Sequence, residues 1–204
     1  MTGQHAGVAA TWFRDDGGID TGAAWQALVD LYTRPGAAGH CLELQAGDGT
    51  SVTALLTLMT AAAAGNGAVT RQAAADVAGL SEAFQSDVLR PLRSARDGLK
   101  RWQRVLPDAM DVRESVLERE LAAEQLEQRL VLECLADGRG PPDDPCGDAC
   151  LSVARYLRLR RLSDDTDTLQ TLGYLLSIAL GEYDSLHIQR VLERALVAEV
   201  GQRD

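Results

Sequence analysis

Glu120, Glu124 and Glu127 stand at i, i+4 and i+7, so a helix running through them sets three carboxylates on one face. Divalent-metal and di-iron sites use such faces, but di-iron bundles complete them with Glu-x-x-His pairs. Here the only histidines are His5, His40 and His187, and none falls in that pattern. A solvated acidic face is the preferred reading, and no metal site is expected. Cys146-x-x-x-Cys150 with Cys134 lacks the second CxxC or paired histidines of a zinc site. His40 and Cys41 are neighbours, and neighbours on a helix point about 100° apart, so they are not a preformed base and thiol. Cys41 is expected in the core. Neither a G-x-x-x-x-G-K-[ST] phosphate loop nor a G-x-S-x-G elbow occurs. No catalytic residue and no cofactor is assigned.

The strongest charge feature is basic. Arg90, Arg93, Arg96, Lys100, Arg101 and Arg104 lie within fifteen residues beside one acid, Asp97, and Arg155, Arg158, Arg160 and Arg161 follow later without an acid among them. Most of the first group fall on one helical face, a stripe that could track phosphates. No aromatic platform is interleaved for base stacking, and the next helical segment is acidic, with Asp111, Glu114, Glu118, Glu120, Glu124, Glu127 and Glu133. The preferred reading pairs the two inside the molecule and puts Glu114, Glu118 or Glu124 near Arg93, Arg96 or Lys100. Contact with an acidic protein or an anionic ligand ranks next and nucleic acid last.

Thirty acidic and twenty basic side chains give the 204 residues a net charge of −10, which repels polyanions and anionic bilayers except at a local patch. With 46% hydrophobic and 25% charged residues, the chain is a globular one able to bury a core. The first twenty residues lack the basic and apolar regions of a signal peptide and read as a flexible lead-in. The most apolar stretch, 54–64, is about half a membrane span, so no membrane is expected. Four cysteines without a leader are read as reduced thiols in the cytoplasm.

Aromatics make up only 4%, Ala and Leu dominate, and strand formers are thin, so the expected class is all-α: a bundle of eight or nine helices. A helix from Asp20 or Thr21 carries Ala24, Trp25, Leu28, Val29, Leu31 and Tyr32 and stops at Pro35-Gly36. Arg34 at its end complements the helix dipole. A short helix burying Ala38, Cys41, Leu42 and Leu44 leads to a turn at Gly47-Asp48-Gly49. A helix from Val52 to Ala64, capped by Thr50 or Ser51, is apolar nearly all round and is expected at the centre, with Leu55 and Leu56 most buried. A brief helix runs from Thr70 to about Ala78, and a longer one from Ser81 holds Trp102 towards the core with a kink or break near residue 90 at Pro91. Asp111 caps the longest helix, 112–136, with Val112, Val116, Leu117 and Leu121 striped along one side. The Pro/Gly/Asp-rich segment 137–148 reads as a linker. The domain reading is a lead-in over 1–20, a helical core over 21–136, and three helices over 149–204 packed on that core.

Trp25 to Gln45, WQALVDLYTRPGAAGHCLELQ, is followed by the GDG turn, the Leu-rich helix, Pro91-Leu92-Arg93 with Arg96 and Lys100, and Glu120-Leu-Ala-Ala-Glu124-Gln125. In this order and spacing, over about residues 24–135, the chain resembles a proteobacterial family catalogued as domain of unknown function 2390. The resemblance implies a helical fold in a bacterial cytosol. Members of that family typically carry Asp and Asn at the start of the Leu-rich helix, where Ser51 and Thr53 stand here.

The functional expectation is a non-catalytic protein-interaction or adaptor module, with another protein as partner and self-association left open. Alternatives are a small-ligand or anion-binding sensor, or an enzyme with a carboxylate/Arg site; nucleic-acid binding through 90–104 ranks below these. Candidate ligand or partner contacts are Arg93, Arg96, Lys100, Arg101, Arg104, Tyr32 and Arg34. A deep pocket gathering two or more of Glu120, Glu124, Arg93, His40 and Tyr32 would favour an enzyme over the adaptor.

Overall fold

The computed structural model describes residues 12–13, 18–48, 50–162, 165–181 and 183–200. Among them the chain forms α1 (Thr21–Tyr32), α2 (Ala37–Asp48), α3 (Val52–Ala63), α4 (Arg71–Phe84), a π-helical turn (Gln85–Leu89), α5 (Arg90–Trp102), α6 (Ala109–Asp137), α7 (Pro145–Arg160), α8 (Thr166–Leu180) and α9 (Ser185–Val200). The fold is all-α. The side chains of Asp20, Ser51, Thr70, Asp144 and Asp165 each accept a hydrogen bond from a backbone N–H in the first turn of the helix that follows. Such caps contribute about 1 kcal/mol apiece.

Helix α3 is the centre. Every residue from Thr53 to Ala62 is buried, Leu55 and Leu56 completely, and α1, α6, α7 and α8 all pack around it. Its threonines are buried without cost because Thr57 and Thr60 donate to the Thr53 and Leu56 carbonyls one turn back, both at 2.7 Å. The helices after residue 144 share this core: Tyr156 of α7, Leu175 of α8 and Leu192 of α9 belong to the same apolar cluster as Leu28, Leu56 and Leu132. The segment between α6 and α7 is also tied down. Gly140 donates to the Ala68 carbonyl at 2.8 Å, and Gly67, at φ 76°, sits so close to the Gly140 carbonyl that a Cβ would collide with it.

Several expectations about the elements need correction. Asp144 caps α7 and Pro145 opens it, so the irregular segment ends before Pro145 instead of at 148. Gly79 does not divide the 70–84 region: α4 is one helix, and an interior glycine costs only about 1 kcal/mol against alanine. Pro91 causes no break either. The chain stays helical through Leu89 and Arg90, and the irregularity expected near residue 90 takes the form of the π turn that leads into α5, whose first turn holds Pro91. Helix α6 starts at Ala109, before Asp111. In α2 the buried stripe is Ala37, Cys41 and Leu44, while Leu42 is 57% exposed.

The flexible lead-in does not include Trp12 and Phe13, which are buried; Asp20 N–H donates to the Trp12 carbonyl, and Arg139 stacks over the Phe13 ring at 3.7 Å. The rest of 1–17 lies outside the described residues, as do Gly49 of the expected GDG turn and Ser163-Asp164.

The α5–α6 hairpin departs most from expectation. No residue of α5 is buried, and between Met110 and Arg119 none is buried on α6. Trp102 faces solvent, 55% exposed, and Val112, Leu117 and Leu121 are exposed rather than part of a buried stripe. The lower half of α6 is different: Ala123, Glu127, Gln128, Val131, Leu132 and Leu135 are all buried.

Candidate functional site

Where the hairpin joins the body, α5 and α6 are stitched by charge. Arg93 Nε donates to Glu120 Oε1 at 3.1 Å and Nη2 to Glu124 Oε1 at 2.8 Å. One turn separates the two glutamates, so a single guanidinium bridges both. Arg93 Nη1 donates to Gln85 Oε1 at 3.1 Å, and Gln45 of α2, with its amide oxygen turned inward, accepts from Arg93 as well. Arg96 Nε faces Glu120 Oε2 at 3.1 Å as an ion pair without hydrogen-bond alignment, and neither atom has a hydrogen-bond partner. The intramolecular pairing expected for Glu124 with Arg93 is present. Glu114 and Glu118 take no part in it.

Behind this layer lies a fully buried carboxylate. Glu127 Oε1 accepts from Ser51 Oγ at 2.6 Å and Ser81 Oγ at 2.8 Å, and Oε2 accepts from Gln85 Nε2 at 2.8 Å. Burial pushes its pKa above the usual carboxylate range, and these three donors oppose that shift in part. Gln85 therefore holds Glu127 with one end of its amide and Arg93 with the other, and it does so from the π turn. Ser51 serves twice, because its hydroxyl oxygen also caps α3 at Ala54 N–H. The expected solvated acidic face is thus overturned: Glu120 and Glu127 are buried and Glu124 is partly so.

In front of Arg93 opens a cleft of about 450 Å³ between α1, α2, the start of α3 and the hairpin. Trp25, Leu28, Val29, Leu42, Val52, Leu117 and Leu121 form apolar walls, and Tyr32, Gln45, Thr53, Arg93, Arg96, Glu120 and Glu124 supply polar groups. The formal charges of Arg93 and Arg96 cancel those of Glu120 and Glu124. Burial raises the Glu124 pKa against the opposing effect of Arg93, leaving a carboxyl that takes up a proton more readily than an exposed one. Burial likewise raises Tyr32, and it drives the Cys41 thiol to about 11, so Cys41 is protonated and packs as an apolar wall.

Of the seven candidate contact residues, the structure brings Tyr32, Arg93 and Arg96 together in this cleft. Lys100, Arg101 and Arg104 lie beyond it on the exposed part of the hairpin and make no ion pair among the described residues. Arg34 lines a separate shallow depression with Ala27, Asp30 and Ala179. Its neighbour Pro35 is held by Tyr174 of α8, whose hydroxyl donates to the Pro35 carbonyl at 2.5 Å. The second basic cluster is largely occupied: Arg155 bonds Glu199 and the Val69 carbonyl, while Arg160 and Arg90 meet at Glu82.

His40 lies in another, wider depression with Glu43, Asp165, Asp167, Thr171 and Tyr174. Glu43 Oε2 and Thr171 Oγ1 approach the same ring nitrogen, Nδ1, at 3.2 and 3.5 Å, so no acid–histidine–hydroxyl relay is formed. Cys41 points instead into the cleft's wall. All four cysteines are free, and the described residues contain no cluster of histidine, cysteine and acidic groups that could hold a metal ion.

Sequence reading missed Gln85, Ser81, Gln45 and the burial of Glu127. A lone polar residue on an amphipathic helix carries no pattern by itself. The one available signal was Ser51 and Thr53 at the start of an otherwise apolar helix: Ser51 holds Glu127, and Thr53 lines the cleft.

An all-α fold with a polar-floored cleft between helices defines the class. The chain belongs to a family described as protein of unknown function (DUF2390), whose sequence model matches residues 23–131. All residues lining the cleft fall inside that segment. No curated protein matches the chain. No solved structure matches it either. No helix among the described residues is long and apolar enough to cross a membrane.

Proposed function

We propose that the chain binds a small organic molecule in the cleft, with the apolar body against Trp25, Leu28, Val29 and Val52 and an uncharged or zwitterionic polar group against the floor. The observation that carries this reading is the convergence of Tyr32, Arg93, Glu120 and Glu124 in one apolar-walled cleft, the arrangement that separates a ligand site or enzyme from a plain adaptor. Charge balance favours an uncharged or zwitterionic head. Arg93 is already held by Glu120, Glu124 and Gln85, so an anion would compete with two carboxylates for it. If the site is catalytic, Glu124 is the proton-transferring group it offers, since the Cys41 thiol stays protonated. The free cysteines suit a reducing compartment, and we place the protein in the bacterial cytoplasm.

The adaptor reading keeps one supporting observation, the exposed Leu42, Leu117 and Leu121 at the cleft's rim and Trp102, Val105 and Leu106 at the hairpin tip. Thermal-shift screening against a metabolite library separates the two readings. Saturable stabilisation by a small molecule, lost in a Val29→Trp variant that fills the cleft, supports the ligand site. A library without a hit on the wild type, or a hit that survives in Val29→Trp, counts against it.

A further inference from the structure

The hairpin has two charge sets, and only one is matched inside the molecule. At the base, Arg93 and Arg96 meet Glu120 and Glu124. Towards the tip, Lys100, Arg101 and Arg104 on and just after α5 are exposed without an ion pair among the described residues, and so are Asp111, Glu114 and Glu118 on α6. The apolar surface there is equally unmatched. Among the described residues, seven of the fifteen large exposed apolar side chains fall between 102 and 121, one-tenth of the chain. Leu117 and Leu121 belong to the cleft's wall, while Trp102, Val105, Leu106 and Met110 stand exposed at the tip, where α5 gives way to α6. A two-helix hairpin with Ala109 as its one buried residue over 90–119 lacks the packed face that stabilises helices in water.

From this we infer that the hairpin docks against the hairpin of a second copy of this chain, forming a four-helix bundle about a two-fold axis. The occupant follows from charge complementarity. A two-fold contact brings the same patch to itself, so α5 of one copy lies beside α6 of the other, and each contact is made twice. Lys100, Arg101 and Arg104 then face Asp111, Glu114 and Glu118, while the exposed Trp102, Val105, Leu106 and Met110 of the two tips close on each other as the bundle's seam. A uniformly basic or uniformly acidic hairpin would repel its copy. This one is mainly basic on α5, Asp97 aside, and carries three exposed acids on α6 beside Arg113 and Arg119, within a molecule whose net charge of −10 otherwise opposes self-association.

Sedimentation velocity on the full chain over micromolar concentrations tests the inference, with far-UV circular dichroism to show that each variant is folded. The wild type is expected to shift from 21.9 kDa to twice that mass as concentration rises. A Lys100→Glu, Arg101→Glu, Arg104→Glu variant and a separate Asp111→Lys, Glu114→Lys, Glu118→Lys variant should each dimerise at least about tenfold more weakly, because like charges then meet across the contact. Mixing the two reversed variants should restore a dimer, now a heterodimer. A wild type that stays at 21.9 kDa throughout overturns the inference. So does a dimer indifferent to both reversals, or a pair of variants whose mixture stays monomeric. The assay reads mass alone, so its outcome is independent of whether the cleft takes a small molecule.

Discussion

Within one hairpin, α5 and α6 show two ways of placing charge beside apolar surface. At the base the charged groups are held by hydrogen-bonding partners: Arg93 by Gln85, Glu120 and Glu124, and the buried Glu127 by Ser51, Ser81 and Gln85. At the tip, charges of the same kinds stand in water beside exposed Trp102, Val105 and Met110. Composition does not separate the two regions; the helices behind them do. Helices α1, α3 and α4 pack on α6, and its buried residues Ala123, Glu127, Gln128, Val131, Leu132 and Leu135 fall in its second half, whereas none is buried between Met110 and Arg119. Polar groups at the base are therefore fixed and desolvated, as a binding site requires, and those at the tip remain available for a contact outside the molecule.

Substitutions at the base should cost far more than those at the tip. Glu127→Leu has the largest expected effect. It leaves Ser51, Ser81 and Gln85 donors buried without an acceptor, and a loss of about 3 kcal/mol in urea denaturation is expected. A loss below about 0.5 kcal/mol would mean that the network is not a structural unit. Arg93→Ala comes second. Glu120 is buried but Arg93 and Glu124 keep part of their contact with solvent, so less than the full cost of breaking a buried pair applies, and about 2 kcal/mol is expected, accompanied by a further rise in the Glu124 pKa measurable by carboxyl NMR titration.

The pH dependence sharpens the same contrast. Burial holds the Glu124 and Glu127 pKa values above those of the unfolded chain. The folded state therefore binds these protons more tightly, and their contribution to stability is lost as pH rises from the ordinary carboxylate value of about 4.3 through the raised folded values. Glu82 and Glu199 act in the opposite sense: burial raises them, but Arg90 with Arg160, and Arg71 with Arg155, outweigh it and lower both. The informative readout is thus a difference. Glu127→Gln, which keeps an acceptor oxygen, should lose less stability than the wild type as pH rises above the ordinary carboxylate range, and a parallel pH profile would show that Glu127 titrates alike in the folded and unfolded chain. The smallest effect belongs to the tip: Arg101→Ala should change monomer stability, measured at low protein concentration, by less than about 0.5 kcal/mol.

These contrasts also show what could be read from residues in order. Helix α3 was plain because ten consecutive residues without a charge can only be buried, and Ser51, Thr70 and Asp20 announced helix starts by their ability to accept a backbone N–H. The stripe on α6 was legible as amphipathicity, but a stripe does not say whether another helix covers it. Leu132 is completely buried, whereas Leu117 and Leu121 are 43% and 51% exposed at the cleft. The burial of Glu127 was illegible for the converse reason. An acid on a helix is ordinarily solvated, and its three donors come from residues 76, 46 and 42 positions away. Tyr32, Arg93 and Arg96 were singled out for charge and position at a helix end, and their meeting in one cleft depends on a helix order that spacing along the chain does not encode.

Native mass spectrometry of protein purified without denaturation tests most directly whether the base of the hairpin is a binding site. The account predicts a discrete mass increment from a non-covalently held organic molecule, released on mild activation and missing from Val29→Trp, whose side chain occupies the cleft. An increment retained by Val29→Trp, or a wild type carrying no small molecule and acquiring none from a metabolite extract, would contradict it.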